Sequence, residues 1–161
     1  MNQKQILNKI IEKEIALLSD DLISEAENII VVFKEPLEEM KKAQMQSLAN
    51  IARNTQDIND VVNFVKHQTG KDSKNKTWGY AIDNKSFGQT VRDKTKEVIS
   101  QAQGILDISI EKLQDILNEQ GQVYVTIEDR DKRYLLHDIE TNLLRKFIQH
   151  LTTSYEVKGE L

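Results

Sequence analysis

The chain has 161 residues, of which 39% are hydrophobic and 30% charged, and its net charge at pH 7 is −4. This length suits a single domain with a sizeable core, and the composition is too apolar for a disordered chain. The absence of cysteine excludes disulfides, thiol nucleophiles and Cys-based zinc sites. No apolar run approaches the roughly 20 residues that span a bilayer, and no signal peptide is evident. We therefore expect a cytoplasmic protein that makes no contact with a membrane.

The first predicted helix covers about residues 3 to 34, because apolar side chains recur there every three or four positions. A Ser-Asp-Asp segment at 19–21 contains good N-cap residues, so the helix can be divided at that point. Pro36 ends the segment, since the residue before proline avoids the helical region. Proline also suits the first turn of a helix. We therefore predict a second helix that begins at Pro36 and is closed by Asn54-Thr55.

A third helix is predicted from about Asp57, with Gly70 as its C-terminal stop. Residues 70–88 then lack a regular hydrophobic period and contain three glycines, which indicates a loop of nearly twenty residues. Loops of that length in a compact domain are usually functional or disordered. The aromatic residues Trp78, Tyr80 and Phe87 favour an ordered loop, because disordered segments are poor in aromatic side chains.

A long fourth helix is predicted from 88 to 119, with Gly121 just beyond its end. The segment VYVTI at 123–127 alternates like a strand but has no evident partner, so we interpret it as an extended connector. The last predicted helix spans 129–155, and the tail at 157–161 is expected to fray. With one proline and six glycines in the whole chain, the sequence predicts an all-α bundle of about five helices, with a long basic loop between the third and fourth.

Motifs of enzyme chemistry are missing from the sequence. There is no phosphate-loop, dinucleotide-binding or nucleophile-elbow motif, and no paired histidine motif for a metal. The closest approach to a catalytic cluster is His137, Asp138 and Glu140, which would need groups from another helix to form a site. We expect no catalytic residues, no metal and no cofactor, with this cluster as the alternative.

Positive charge is concentrated in the middle of the chain. Residues 61–96 contain eight Lys or Arg and three Asp or Glu, whereas the segments before and after them are net acidic. Flexible cations of this kind can contact nucleic-acid phosphates locally even when the whole protein is acidic. The alternative is that they only keep a long loop soluble. The candidate nucleic-acid contacts are Lys66, Lys71, Lys74, Lys76, Trp78, Lys85, Arg92, Lys94 and Lys96.

Two features of the loop have alternative interpretations. Trp78 or Tyr80 could stack on an unpaired base, but a single tryptophan in a small domain more often anchors a loop in the core. Residues 86–88 open the fourth helix, and free backbone amides at a helix start can bind a phosphate.

The segment at 60–96, with DVVNFVKHQTGKDSKNKTWGY followed by FGQTVRDKTK, is similar to the small subunits of type III CRISPR effector complexes, as are the length and the helical pattern. That resemblance implies a non-catalytic subunit of a ribonucleoprotein complex in antiviral defence, which packs against sister subunits. By position, it implies contacts with guide or target RNA backbone by the following residues: Lys66, Lys71, Lys74, Lys76, Arg92 and Lys96.

A protein–protein adaptor or self-associating bundle is the other hypothesis. The loop would then dock a partner through Trp78 and Phe87, and the lysines would only solvate it. The first helix carries additional apolar residues beside its main stripe, so it is either centrally buried or part of an interface. These additional residues are Ile11, Leu17, Ile23, Ile30 and Val31.

Overall fold

The computed structural model describes residues 1–121 and 124–161 of the protein. The described residues form eight α-helices, a short 3₁₀ helix and a two-stranded ribbon, which confirms the predicted all-α bundle. The α-helices are α1 (Gln3–Leu17), α2 (Ser19–Val32), α3 (Lys34–Glu39), α4 (Lys42–Asn54), α5 (Ile58–Lys71), α6 (Phe87–Ser100), α7 (Ala102–Glu119) and α8 (Asp129–Glu156). The strands β1 (Ala81–Ile82) and β2 (Lys85–Ser86) pair antiparallel.

The long helix α8 lies at the centre of the bundle and packs against α2, α4, α6 and α7. Its predicted bounds of 129–155 are confirmed to within one residue. Apolar side chains spaced three or four apart make one face of α8 fully buried, which is why a helix of 28 residues can organise the others. That face includes Ile139, Leu143, Phe147, Ile148 and Leu151.

The first predicted helix is divided at the point that the sequence indicated. Leu18 joins α1 to α2, and its N–H donates to the carbonyl of Ile15 at 3.0 Å, which tightens the last turn. Asp20 and Asp21 lie in the first turn of α2, where negative charge suits the helix dipole. The division lets α1 pack against α7 while α2 packs against α8.

The prediction of one continuous second helix from Pro36 to Thr55 is wrong. Pro36 lies in the first turn of α3, as expected, but Met40 and Lys41 have extended backbones and separate α3 from α4. A tertiary contact accounts for the break: the Met40 side chain is buried, and its carbonyl accepts a hydrogen bond from the Tyr155 hydroxyl at 3.0 Å.

Two other predicted boundaries differ from the structure. α5 continues through Gly70 to Lys71, and the predicted fourth helix is divided at Gln101 into α6 and α7. The division sends α6 against α5 and α8, whereas α7 packs against α1 and α8. Gly121 has a φ of +75°, the left-handed conformation that ends a helix, so the predicted stop after α7 is confirmed.

The connector after α7 was predicted to be extended, and an extended backbone is found at Glu128, the residue before α8. Val123, which the sequence placed in this connector, lies outside the described residues, and residues 124–128 have neither helix nor strand. The side chain of Gln3 fixes this segment to α1, because it donates to the Tyr124 carbonyl and accepts from the Thr126 N–H at 2.8 Å. The tail was predicted to fray, but Lys158–Glu160 forms a 3₁₀ turn. None of the described helices is long and apolar enough to cross a membrane.

Candidate nucleic-acid interface

The basic loop between α5 and β1 is folded around the carboxylate of Asp72. Asp72 ends α5, where its backbone N–H donates to the carbonyls of Gln68 and Thr69. Its side chain accepts hydrogen bonds from the N–H groups of Lys76 at 3.2 Å, Thr77 at 2.8 Å and Gly79 at 2.9 Å. Partial burial alone would raise the pKa of Asp72, but these donors outweigh it and hold the pKa below the ordinary value of 3.8. The loop backbone therefore has a defined shape that depends on an ionised carboxylate.

Trp78 anchors the loop in the core and is not available to stack on a base. Its side chain is 1% exposed, and the indole Nε1 donates to the side-chain oxygen of Gln44 at 3.1 Å. The indole ring lies 5.2 Å from the ring of Phe87 and 6.3 Å from that of Phe64. The assignment of Trp78 as a nucleic-acid contact is therefore wrong, and the anchoring interpretation holds. Phe87 is also fully buried, so these two rings do not form a docking surface for a protein.

A short hairpin carries the chain from Trp78 into α6. β1 and β2 are joined by Asp83 and Asn84, whose φ angles of 52° and 66° are those of a type I′ turn. Tyr80 is half-buried against the core, so only part of its side chain reaches solvent. The loop thus ends in regular, hydrogen-bonded structure.

The backbone amides at the start of α6 are already used within the protein. The N–H of Phe87 donates to the Tyr80 carbonyl at 2.9 Å, and the N–H of Gly88 donates to the Trp78 carbonyl at 2.8 Å. The next amide, that of Gln89, donates to the N-cap side chain of Ser86 at 3.0 Å. The expectation that these amides bind a phosphate is therefore wrong, because none of the first three is free.

Four of the predicted basic residues project into solvent at this end of the bundle. Lys66 and Lys71 lie on the last turns of α5, while Lys74 and Lys76 lie in the loop that follows. All four side chains are exposed, and none makes an ion pair with the described part of the chain. We call these four residues the lysine platform.

Three of the remaining predicted basic residues, Lys85, Arg92 and Lys94, make contacts within the protein. Lys85 forms a 2.7 Å salt bridge with Asp93, and Lys94 bridges to Glu97 at 3.1 Å. The guanidinium of Arg92 donates through Nη2 to the Gln89 side chain, and its Nε is buried. Arg92 is partly withdrawn from solvent, whereas Lys85 stays exposed but has its charge partly offset by Asp93, and both effects weaken a role in phosphate contact.

Lys96 is exposed but lies away from the lysine platform. α5 and α6 are joined by the loop and hairpin and pack side by side, so the last turn of α6 is near the first turn of α5. Accordingly, Lys96 lines a groove with Ile58, at the opposite end of α5 from Lys71. The structure does not bring Lys96 together with the loop lysines.

The alternative catalytic cluster is not assembled by the fold. His137 and Asp138 are exposed on α8, and Glu140 lines the groove beside Lys96. Within residues 1–121 and 124–161, no group of three or more His, Cys, Asp or Glu side chains is arranged to hold a metal ion.

Sequence reasoning missed the two residues that fix the loop, Asp72 and Gln44. Asp72 follows a helix and precedes an Asn- and Gly-containing turn, a position where aspartate commonly accepts from nearby backbone N–H groups, so a local signal existed. Gln44 lies 34 positions before Trp78, and no local pattern links the two residues.

Comparison with known proteins adds no assignment to these observations. The chain matches no protein-family model, and neither the curated proteins nor the solved structures include a significant match.

Proposed function

We propose that the protein is a non-catalytic helical subunit of a nucleoprotein assembly, which contacts the sugar-phosphate backbone of RNA through the lysine platform. One observation carries this proposal. Lys66, Lys71, Lys74 and Lys76 are exposed and unpaired in the described structure, yet the loop beneath them is fixed by Asp72 and Trp78. Cations held on an ordered backbone bind with a smaller loss of conformational entropy than cations on a mobile tail.

The chemistry of such a platform suits backbone contact without sequence readout. Lysine is a compact cation on a flexible stem, which attracts phosphates without demanding a fixed geometry. The buried position of Trp78 removes the ring that could have stacked on a base, so affinity would depend mainly on charge. Binding of this type weakens strongly with salt, because each neutralised phosphate releases condensed counterions.

The resemblance to the small subunits of type III CRISPR complexes suggests which assembly this is. A bundle of this size, with a basic segment at 60–96, would sit beside sister subunits along a guide–target duplex and serve in antiviral defence. Support for this specific form of the proposal comes from the helical architecture and the position of the basic segment alone.

The direct test measures single-stranded RNA binding by fluorescence anisotropy over a range of salt concentrations. The variant Lys71→Gln/Lys74→Gln/Lys76→Gln should bind more weakly, and the slope of log affinity against log salt should fall by about 2, at about 0.7 per phosphate lost. A matched control removes three lysines elsewhere, as Lys9→Gln/Lys34→Gln/Lys132→Gln, and should keep most of the slope. Equal affinity and slope in the two variants would contradict the proposal.

A second experiment tests the assembly itself. The protein is isolated from its native host at moderate salt, with half of the sample treated with nuclease. Short RNA of uniform length, together with several larger proteins, is expected to accompany it. Isolation of the protein with a single protein partner and no nucleic acid would favour an adaptor function instead, for which the exposed apolar residue Leu17 is the supporting observation.

A further inference from the structure

An apolar groove runs between α1 and α7, on a part of the bundle separate from the lysine platform. Its volume is about 690 Å³, and its apolar lining comes from Ile10, Ala16, Leu17 and Ile116. Leu17 is 72% exposed, which is unusual for a leucine at the end of a helix whose other leucine, Leu7, is fully buried. An exposed apolar groove with a projecting leucine is typical of a surface that another molecule covers.

Charged residues flank this groove in a particular arrangement. Glu14 on α1 and Lys112 on α7 form a salt bridge that joins the two helices within one molecule. Lys13 on α1 and Asp115 on α7 also line the groove, but neither makes an ion pair with the residues that the structure describes. One flanking helix thus offers a free cation, and the other offers a free anion.

We propose that this groove binds a second copy of the same chain in a two-fold symmetric dimer. In such an interface, α1 of each copy lies against α7 of the other, and every contact occurs twice. Lys13 of each copy then faces Asp115 of the other, and Leu17 of each copy enters the other's groove. One two-fold rotation thus gives both free charges an opposite charge and covers the exposed leucine.

The charge pattern favours a second copy over a partner of another kind. A strongly acidic partner would meet Asp115, and a strongly basic one would meet Lys13, so either would place like charges together at the edge of an apolar contact. A two-fold copy presents the opposite charge to both residues. This inference goes beyond the proposed function and does not depend on it, because the groove does not involve the lysine platform.

Sedimentation analysis of the purified protein, free of nucleic acid, tests the dimer. The wild type is expected to dimerise with a concentration-dependent equilibrium. Lys13→Glu and Asp115→Lys should each raise the dissociation constant by about tenfold or more, since each places like charges opposite each other twice. The double variant Lys13→Glu/Asp115→Lys exchanges the two charges and should restore dimerisation.

Two comparisons make the result decisive. Glu12→Lys changes a charge on the solvent side of α1 and should leave the dissociation constant unchanged, while Leu17→Ser should raise it. Circular dichroism and thermal unfolding of each variant establish that the monomer is intact, as expected for exposed residues. A monomeric wild type at all concentrations, or a double variant no better than the single ones, would overturn the proposal.

Discussion

The indole N–H of Trp78 donates to the side-chain oxygen of Gln44 at 3.1 Å, and this bond attaches the basic loop to α4. The indole is 1% exposed, and Gln44 is the acceptor of its N–H, so truncation of Gln44 leaves this buried donor without its partner. Gln44→Ala is therefore expected to lower the free energy of unfolding by about 1–3 kcal/mol, the cost of an unsatisfied buried donor. Urea denaturation followed by tryptophan fluorescence measures the change.

A double-mutant cycle separates this hydrogen bond from the packing of Gln44. In a Trp78→Phe background the indole donor is absent. Gln44→Ala should therefore lower the free energy of unfolding clearly less in that background than in the wild type. Because Trp78→Phe also removes the fluorophore, circular dichroism follows unfolding in all four proteins. An equal cost in both backgrounds would show that Gln44 acts by packing alone.

Close contact between α5 and α6 depends on glycine at position 88. A β-carbon there would lie 1.9 Å from the hydroxyl oxygen of Thr69 and 3.2 Å from the carbonyl of Trp78. The Thr69 hydroxyl already donates to the Val65 carbonyl at 2.7 Å, so it is not free to turn aside without breaking that bond. Gly88→Ala should therefore destabilise the protein by about 1–3 kcal/mol through overpacking.

Thermal unfolding of four variants tests whether a steric clash causes the loss of stability in Gly88→Ala. Thr69→Ala removes the clashing oxygen, so Gly88→Ala/Thr69→Ala should be more stable than the sum of the two single losses predicts. Gly70→Ala is the matched control, because a β-carbon at that position has no neighbour within 4 Å. Gly70→Ala should be neutral or slightly stabilising, since alanine favours a helix. Additive losses in the double variant would rule out the steric explanation.

The shape of the loop should depend on pH through Asp72. Hydrogen bonds from the loop N–H groups depress the pKa of Asp72 in the folded protein below its usual value. The stabilisation is therefore complete above about pH 4, where the carboxyl is also ionised in the unfolded chain, and it is lost as the pH falls through the folded value. At neutral pH, Asp72→Asn should lower the free energy of unfolding by about 1–2 kcal/mol.

Urea unfolding of the wild type and Asp72→Asn at several values from pH 7 to pH 3 measures this dependence. The difference between the two free energies of unfolding should shrink as the pH falls, because the Asp72 carboxyl of the wild type becomes protonated. The other carboxyl groups titrate in both proteins, so their contributions cancel in the difference. Asp93→Asn is a useful comparison, since the pKa of Asp93 is lowered mainly by Lys85 on the exposed hairpin. A difference for Asp72→Asn that does not vary with pH would contradict the role of its charge.

Local sequence signals predicted the helices and the division between α1 and α2, but not the breaks at Met40 and Gln101. The apolar period of α8 and the left-handed Gly121 are local features, and both were predicted correctly. The breaks at Met40 and Gln101 have no proline or glycine at those positions to mark them. At Met40 the carbonyl accepts a hydrogen bond from the hydroxyl of Tyr155, a residue that is distant in the sequence. Tertiary contacts of this kind override local helix propensity.

The sequence was enough to identify most basic residues of the candidate site, but not to show where the fold places them. Charge counting identified the loop lysines, and the four residues of the lysine platform are indeed exposed. Counting could not show that Lys85 pairs with Asp93, or that Lys96 lies at the far end of α6, because both depend on how the hairpin and α6 are placed.

The hairpin turn provides a way to stabilise the loop without altering its charge. Asn84 has a φ of 66°, at the second central position of a type I′ turn, where glycine is the residue that fits best. Asn84→Gly should therefore be neutral or raise the free energy of unfolding by up to about 0.5 kcal/mol. Asn84→Ala should lower it by about 1 kcal/mol, since alanine lacks the short polar side chain that lets asparagine tolerate the left-handed region. Neither change alters a residue of the lysine platform. At one salt concentration, RNA affinity should therefore change only if the substitution makes the loop less ordered. If Asn84→Ala weakens RNA binding while the protein stays folded, an ordered loop is part of the binding surface; if alanine is more stable than glycine at this position, the turn is not of type I′.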